Sequence, residues 1–66
     1  QMMRVGDLVR FISAADENTP AWRANRKSGL VVESFVLAGN LWHLVRFGDI
    51  CERVFHKDLE LINASR

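Results

Sequence analysis

The residues that could bind a metal ion are two histidines and one cysteine: His43, His56 and Cys51. A structural zinc ion needs four ligands, and the sequence has neither Cys-x-x-Cys nor His-x-x-x-His spacing to supply them. Even if His43 and Cys51 faced each other across a hairpin, they would form only part of a site. We therefore expect His43 to lie on a strand at the surface, His56 to cap a short turn and Cys51 to pack as a small buried residue. The sequence predicts no metal and no other cofactor.

Groups for covalent or acid–base catalysis are not indicated either. A reactive cysteine needs a base and positive surroundings, whereas Cys51 is followed by the acidic Glu52. The carboxylates Asp49, Glu52 and Asp58 could form an acid–base cluster, yet nothing in their spacing forces two of them to within about 5–9 Å of each other. The sequence predicts no catalytic residue, no enzyme activity and no small-molecule substrate.

The most informative group surrounds Trp22, which is followed by Arg23, Arg26 and Lys27. An aromatic ring beside several cations provides what single-stranded nucleic acid needs, a stacking surface and charges that neutralise phosphates. Two alternatives stay open for Trp22: it could cover the core as a lid, or it could belong to a protein interface, since Trp and Arg are enriched at binding hot spots. Candidate binding residues are Trp22, Arg23, Arg26, Lys27, Arg10, Trp42 and Arg46, of which Trp42 and Arg46 share one strand face.

Composition limits these options. The 66 residues make one small domain, assigned to residues 3–63, and 48% of them are hydrophobic, which is enough for a core. A net charge of +1 gives no global field toward nucleic acid. No run approaches the ~20 apolar residues of a membrane span, so no membrane partner is expected. A single cysteine indicates a reducing, cytoplasmic setting. Residues 1–2 are interpreted as a cloning remnant or native start, and residues 64–66 as a frayed tail.

The elements that must position these residues are five strands, organised around a hairpin at residues 41–55. Two runs rich in β-branched and aromatic residues flank Gly48-Asp49 there, which predicts a type II′ turn. The predicted strands are 4–12, 29–36, 41–47, 50–55 and 59–62. Between them lie a long loop at 13–28, a hairpin loop at 37–40 in which Gly39 and Asn40 are able to adopt left-handed conformations, and a 3₁₀ turn at 56–58. The predicted core is Val9, Val32, Val45, Phe47, Val54 and Leu59.

This order of elements resembles that of SH3-like small barrels. Residues 13–28 would correspond to the RT loop, residues 37–40 to the n-Src loop, and Gly48-Asp49 to the distal turn. The segments Val5–Arg10 and Gly29–Val32 resemble the opening strands of KOW-type and Tudor-type modules, although sixteen residues separate the strands here. The resemblance implies an all-β fold: a five-stranded SH3-like barrel with a long first loop and a 3₁₀ turn before the last strand.

Other small proteins share parts of this pattern. Proteins of phages and mobile elements often have a similar Gly-Asp-Leu-Val-Arg start. The plasmid-encoded type II dihydrofolate reductases are similar in outline at Gly6-Asp7, Ala21-Trp22 and Leu59–Asn63, but their Val-Gln-Ile-Tyr motif is absent, so their activity is not implied. We therefore expect a non-catalytic module that binds nucleic acid. The alternative is a protein-interaction or self-assembling module with an exposed apolar face that includes Leu8, Ile12, Leu44 and Trp42.

Overall fold

The structure, a computed structural model, describes residues 2–12 and 28–64. Its elements are the strands β1 (Leu8–Phe11), β2 (Gly29–Leu37), β3 (Asn40–Phe47), β4 (Ile50–Phe55) and β5 (Leu59–Asn63), with a 3₁₀ turn, His56–Asp58, before β5. The prediction of an all-β fold is confirmed, as are β4 and the 3₁₀ turn at their predicted bounds.

The first strand is shorter than the predicted 4–12. Gly6 has a φ of 94°, and the amide of Asp7 donates to the carbonyl of Arg4 at 3.0 Å, so the chain turns before it enters the sheet. The carboxylate of Asp7 is fully buried and accepts a hydrogen bond from the Arg4 amide at 2.9 Å. This local bond gives the backbone a partner outside the sheet, and β1 therefore begins only at Leu8.

The five strands form one antiparallel sheet in the order β4-β3-β2-β1-β5. Its edge strands, β4 and β5, are consecutive in the chain and are joined by the three residues of the 3₁₀ turn. In a flat sheet these edges would lie about 19 Å apart, whereas the four peptide units from Phe55 to Leu59 can span at most about 14 Å. The sheet must therefore curve. The two edges are not hydrogen-bonded to each other, so the sheet is not closed.

The core lies on the inner, concave face of this sheet. It consists of Met3, Val9, Phe11, Val31, Val45, Phe47, Val54 and Leu59. The core prediction is confirmed except at Val32, which is half-buried, while Val31 is fully buried. The reason is a bulge: Val31 pairs with Val45 and shares its face, but Glu33 already pairs with Leu44. Val32 is thus an extra residue in β2, and the alternation of the strand shifts there.

Gly29 leaves room for a side chain of β3 to pack over β2 and contact β1. A Cβ at this position would lie 2.5 Å from Cγ1 of Val45 and 2.7 Å from Cε1 of Phe47. Because Gly29 has no side chain, the ring of Phe47 on β3 can lie over β2. There it stacks on Phe11 of β1, with 5.3 Å between the ring centroids and 12° between the planes.

Two tight turns close the hairpins. Between β2 and β3, Ala38 and Gly39 have φ angles of 52° and 79°, the pattern of a type I′ turn. Asn40 does not adopt the left-handed conformation considered for it, since it pairs with Leu37 as the first residue of β3. Between β3 and β4, Gly48 has a φ of 66°, which agrees with the predicted type II′ turn.

Candidate functional site

The outer face of β2, β3 and β4 carries a row of three aromatic side chains. The strand register places Trp42 on β3 between Phe35 on β2 and Phe55 on β4. The rings of Trp42 and Phe55 are tilted by 55°, with their centroids 5.4 Å apart. We call Phe35, Trp42 and Phe55 the aromatic row. All three are half-buried, and Nε1 of Trp42 is inaccessible and has no hydrogen-bond partner in the described chain. A planar ligand could therefore contact Trp42 by its ring and not by its N–H.

Two arginines lie on the same face as the aromatic row. Arg53 pairs with Leu44, and Arg46 pairs with Cys51. Arg53 therefore lies two residues from Trp42 along the strand direction, and Arg46 lies four residues from it. Both are exposed, and neither guanidinium group has an ion pair or hydrogen bond to another residue in the described ranges. Arg46 and Arg53, the outer arginines, are thus available to an anionic partner. Arg46 is one of the binding residues predicted from the sequence, whereas Arg53 is not, although strand alternation places Arg53 on the face of Phe55.

Arg10 also lies on the outer face, on β1, but the structure gives it a partner. It is opposite Glu60 of β5 in the register. Its Nη2 lies 2.8 Å from Oε1 of Glu60, and its Nε donates to the same oxygen at 2.9 Å. An exposed pair of this kind contributes little to stability. It does partly neutralise the charge of Arg10, which makes Arg10 a weaker candidate for binding than the outer arginines.

The remaining predicted binding residues, Trp22, Arg23, Arg26 and Lys27, lie outside the described residues. Their segment is covalently joined to the described chain at Ile12 and Ser28. Ser28 is two residues from Leu30, which pairs with Arg46. The second attachment of this segment is therefore close to the end of the outer face that carries Arg46.

A second polar feature lies on the inner face. His43 is fully buried, so its predicted surface position is wrong: it lies on the same face of β3 as Val45 and Phe47. Its Nδ1 lies 2.7 Å from Oγ of Ser34, and its Nε2 lies 2.8 Å from Nδ1 of His56. His56 does not act as the predicted cap, because the N-cap position is Phe55 and has no side-chain cap bond. We call this hydrogen-bonded group the Ser34–His43–His56 chain.

The electrostatics of this chain favour an uncharged His43. Burial lowers the pKa of His43 below its usual value of 6.5, and the positive charge that His56 can carry lowers that pKa further. Both ring nitrogens of His43 have hydrogen-bond partners, which offsets the cost of burying a polar ring. His43 is therefore a satisfied neutral core residue at pH 7.

No metal site is formed around these residues. His43 pairs with Val54 and Cys51 pairs with Arg46, so His43 and Cys51 do not face each other. Cys51 is exposed, in contrast to the expected buried position. In the part of the chain that the structure describes, no three His, Cys, Asp or Glu side chains come together as metal ligands, and no pocket is formed.

Comparison with known proteins gives no relative. No protein-family model matches the chain, and no similar protein was found among curated proteins or among solved structures. Over residues 2–12 and 28–64, no helix has the length and apolar character needed to cross a bilayer.

Proposed function

We propose that the protein is an SH3-like barrel that binds single-stranded nucleic acid through the outer face of β2, β3 and β4. The observation that carries this proposal is the aromatic row beside the outer arginines, which have no partners among the described residues. The fold assignment is supported by the order of the elements and by the curvature that the short link between β4 and β5 imposes. No catalytic role is part of the proposal.

The chemistry of this face suits an unpaired strand better than a duplex. Each base of a single strand exposes a π-face, and stacking of a base on an aromatic side chain contributes about 1–3 kcal/mol. The positions of Arg53 and Arg46 lie about 7 and 14 Å from the aromatic row along the strand direction. Long arginine side chains at these distances can reach the phosphates of nucleotides whose bases stack on Trp42 or its neighbours.

The segment of residues 13–27 would add charge at one end of this face. It contains Arg23, Arg26 and Lys27, and it rejoins the chain at Ser28, near the Arg46 end. The proposal therefore keeps these three cations and Trp22 as candidate contacts for a ligand that extends from the aromatic row past Arg46.

The experiment is a fluorescence anisotropy titration with mixed-sequence 12-nucleotide DNA and RNA at several salt concentrations. The double variant Arg46→Gln/Arg53→Gln should bind at least tenfold more weakly than the parent. The slope of log K against log salt should fall by about 1.4, because each contact to a single strand contributes about 0.7.

The matched control is Arg4→Gln/Lys57→Gln, which removes the same charge from two exposed residues outside the outer face. It should retain most of the affinity. Equal losses in both double variants would mean that binding responds only to net charge. No binding of the parent at low salt would refute the proposal.

Self-assembly is the second candidate, and a different observation favours it. Val36 and Leu37, at the tip of the β2–β3 hairpin, are 71% and 47% exposed, and Ile12 is 47% exposed. Of the apolar face predicted for this role, Leu8, Leu44 and Trp42 are only half-buried on the outer face. If these residues form a contact between copies, sedimentation velocity should show a dimer that Val36→Lys dissociates, whereas a monomer at all concentrations would exclude this function.

A further inference from the structure

The Ser34–His43–His56 chain joins three elements through two short contacts. Ser34 lies on β2, His43 on β3, and His56 is the first residue of the 3₁₀ turn. The contact between Nε2 of His43 and Nδ1 of His56 measures 2.8 Å, so one nitrogen must donate a proton and the other must accept it. This requirement limits how many protons the pair of rings can hold.

The number of protons that the two rings can hold follows from counting the hydrogens on their nitrogen atoms. Two neutral rings satisfy both contacts. One additional proton also fits when it resides on His56, because Nδ1–H of His56 then donates to Nε2 of His43 and Nδ1–H of His43 donates to Oγ of Ser34. With two additional protons, two N–H groups would face each other across 2.8 Å, and both neighbouring rings would carry a positive charge. The contact between the rings cannot persist in that state.

We propose that the Ser34–His43–His56 chain is a proton-controlled latch: it holds the 3₁₀ turn against β3 while it carries at most one additional proton, and uptake of a second proton releases the turn. The latch is a property of the fold and does not depend on the proposed nucleic-acid binding.

Charged residues lie on each of the elements that pack around the two rings. On β2, Ser34 faces His43, whereas Glu33 is paired with Leu44 on the outer face. On β4, Val54 lies opposite His43, and the acid on that face, Glu52, pairs with Val45 instead. The 3₁₀ turn itself contributes Lys57 and Asp58. Glu33, Glu52 and Lys57 form no ion pair with either ring in the described part of the chain.

The direction of the pH effect follows from the lowered pKa of His43. Between its usual pKa of 6.5 and its lowered value in the folded protein, the unfolded chain binds more protons than the folded chain. The contribution of His43 to stability is therefore fully present above about pH 6.5, and it is lost as the pH falls through that window. The latch is closed at neutral pH and opens in acid.

Release of the 3₁₀ turn would also affect contacts in which the histidines take no part. The carbonyl of Asp58 accepts a hydrogen bond from the amide of Ile12 at 3.0 Å, and Ile12 is the first attachment of the segment 13–27. Leu59, directly after the turn, begins β5. Opening the latch would thus loosen one attachment of the segment that carries Trp22 and its neighbouring cations. If the proposed function is correct, acid would weaken nucleic-acid binding by this route.

The experiment is an NMR titration of the full chain from pH 8 to pH 4, without any partner. The ring nitrogens should report two protonation steps separated by at least one pH unit, as expected for coupled sites. At the second step the NOE between the two rings should disappear. Exchange of the Leu59 amide, which donates to the His56 carbonyl, should rise at least tenfold after correction for intrinsic rates, while the amides of β3 stay protected.

Two variants sharpen the test. In His56→Asn the amide group can replace Nδ1 as a neutral partner of His43, so acid should no longer accelerate exchange at Leu59. Ser34→Ala keeps both rings and should retain the two-step titration.

A single common protonation step, pH-independent exchange at Leu59, or equal acid opening in His56→Asn would overturn the proposal. So would simultaneous exposure of Leu59 and β3, which would show global unfolding. If His56→Asn does not fold, the titration of the parent decides alone.

Discussion

At the scale of single residues, Gly29 permits the packing of the core because it has no side chain. We predict that Gly29→Ala destabilises the protein by about 1–3 kcal/mol, the usual cost of overpacking. The added methyl would meet Val45 and the ring of Phe47 at under 3 Å, and neither contact atom is the end of a flexible side chain. The measurement is the urea midpoint at constant m-value. Ser28→Ala, an exposed neighbour, is the control, and equal stability of the two variants would contradict this close approach.

Strand alternation predicted the inward positions of Val45, Phe47 and Val54, because these strands are regular. It could not distinguish Val31 from Val32, since a bulge has no signal in the run of three apolar residues Leu30–Val32. The same alternation places His43 inward, in contrast to its predicted surface position, and a buried ring needs hydrogen-bond partners. Those partners, Ser34 and His56, come from two other elements, and only the folded register shows that they meet.

At the scale of elements, the turn between β2 and β3 holds an alanine in a left-handed conformation. Ala38 has a φ of 52° and is exposed, so its strain is not offset by packing. We predict that Ala38→Asn stabilises the protein by up to about 1 kcal/mol, because Asn tolerates this region and Asn-Gly suits a type I′ turn. The melting temperature should rise by several degrees. Ala38→Val, with a β-branched side chain, should lower it, and the opposite order would show that Ala38 is not left-handed.

The positions of turns were the most predictable elements, because Gly39 and Gly48 mark sites where left-handed backbone is needed. Strand ends were predicted less well where side chains compete with the sheet for backbone groups. The carboxylate of Asp7 does this at the start of β1, where it binds the Arg4 amide at 2.9 Å. The predicted long loop at residues 13–28 lies outside the described residues except for Ser28, so its prediction stays untested.

At the scale of the whole molecule, stability depends on one contact that bridges the curved sheet. The stack of Phe11 on Phe47 links β1 to β3 across β2, and Phe47 is 5% exposed. Removing a buried Phe side chain costs about 3–5 kcal/mol, whereas a folded domain has only about 5–15 kcal/mol in total. A chain of 66 residues is expected at the low end of that range, since small domains bury a smaller fraction of their surface.

We therefore predict that Phe47→Ala is largely unfolded at 25 °C. The loss should appear as collapsed amide dispersion in a proton–nitrogen NMR spectrum and as the absence of a cooperative thermal transition. Phe35→Ala is the matched control: it removes the same ring from the half-buried outer face, so it should remain folded with a smaller loss of stability. A Phe47→Ala variant that melts cooperatively at the parent temperature would mean that the ring does not face the core. In that case the inward register of β3, and with it the outward position of Trp42 and Arg46, would be wrong.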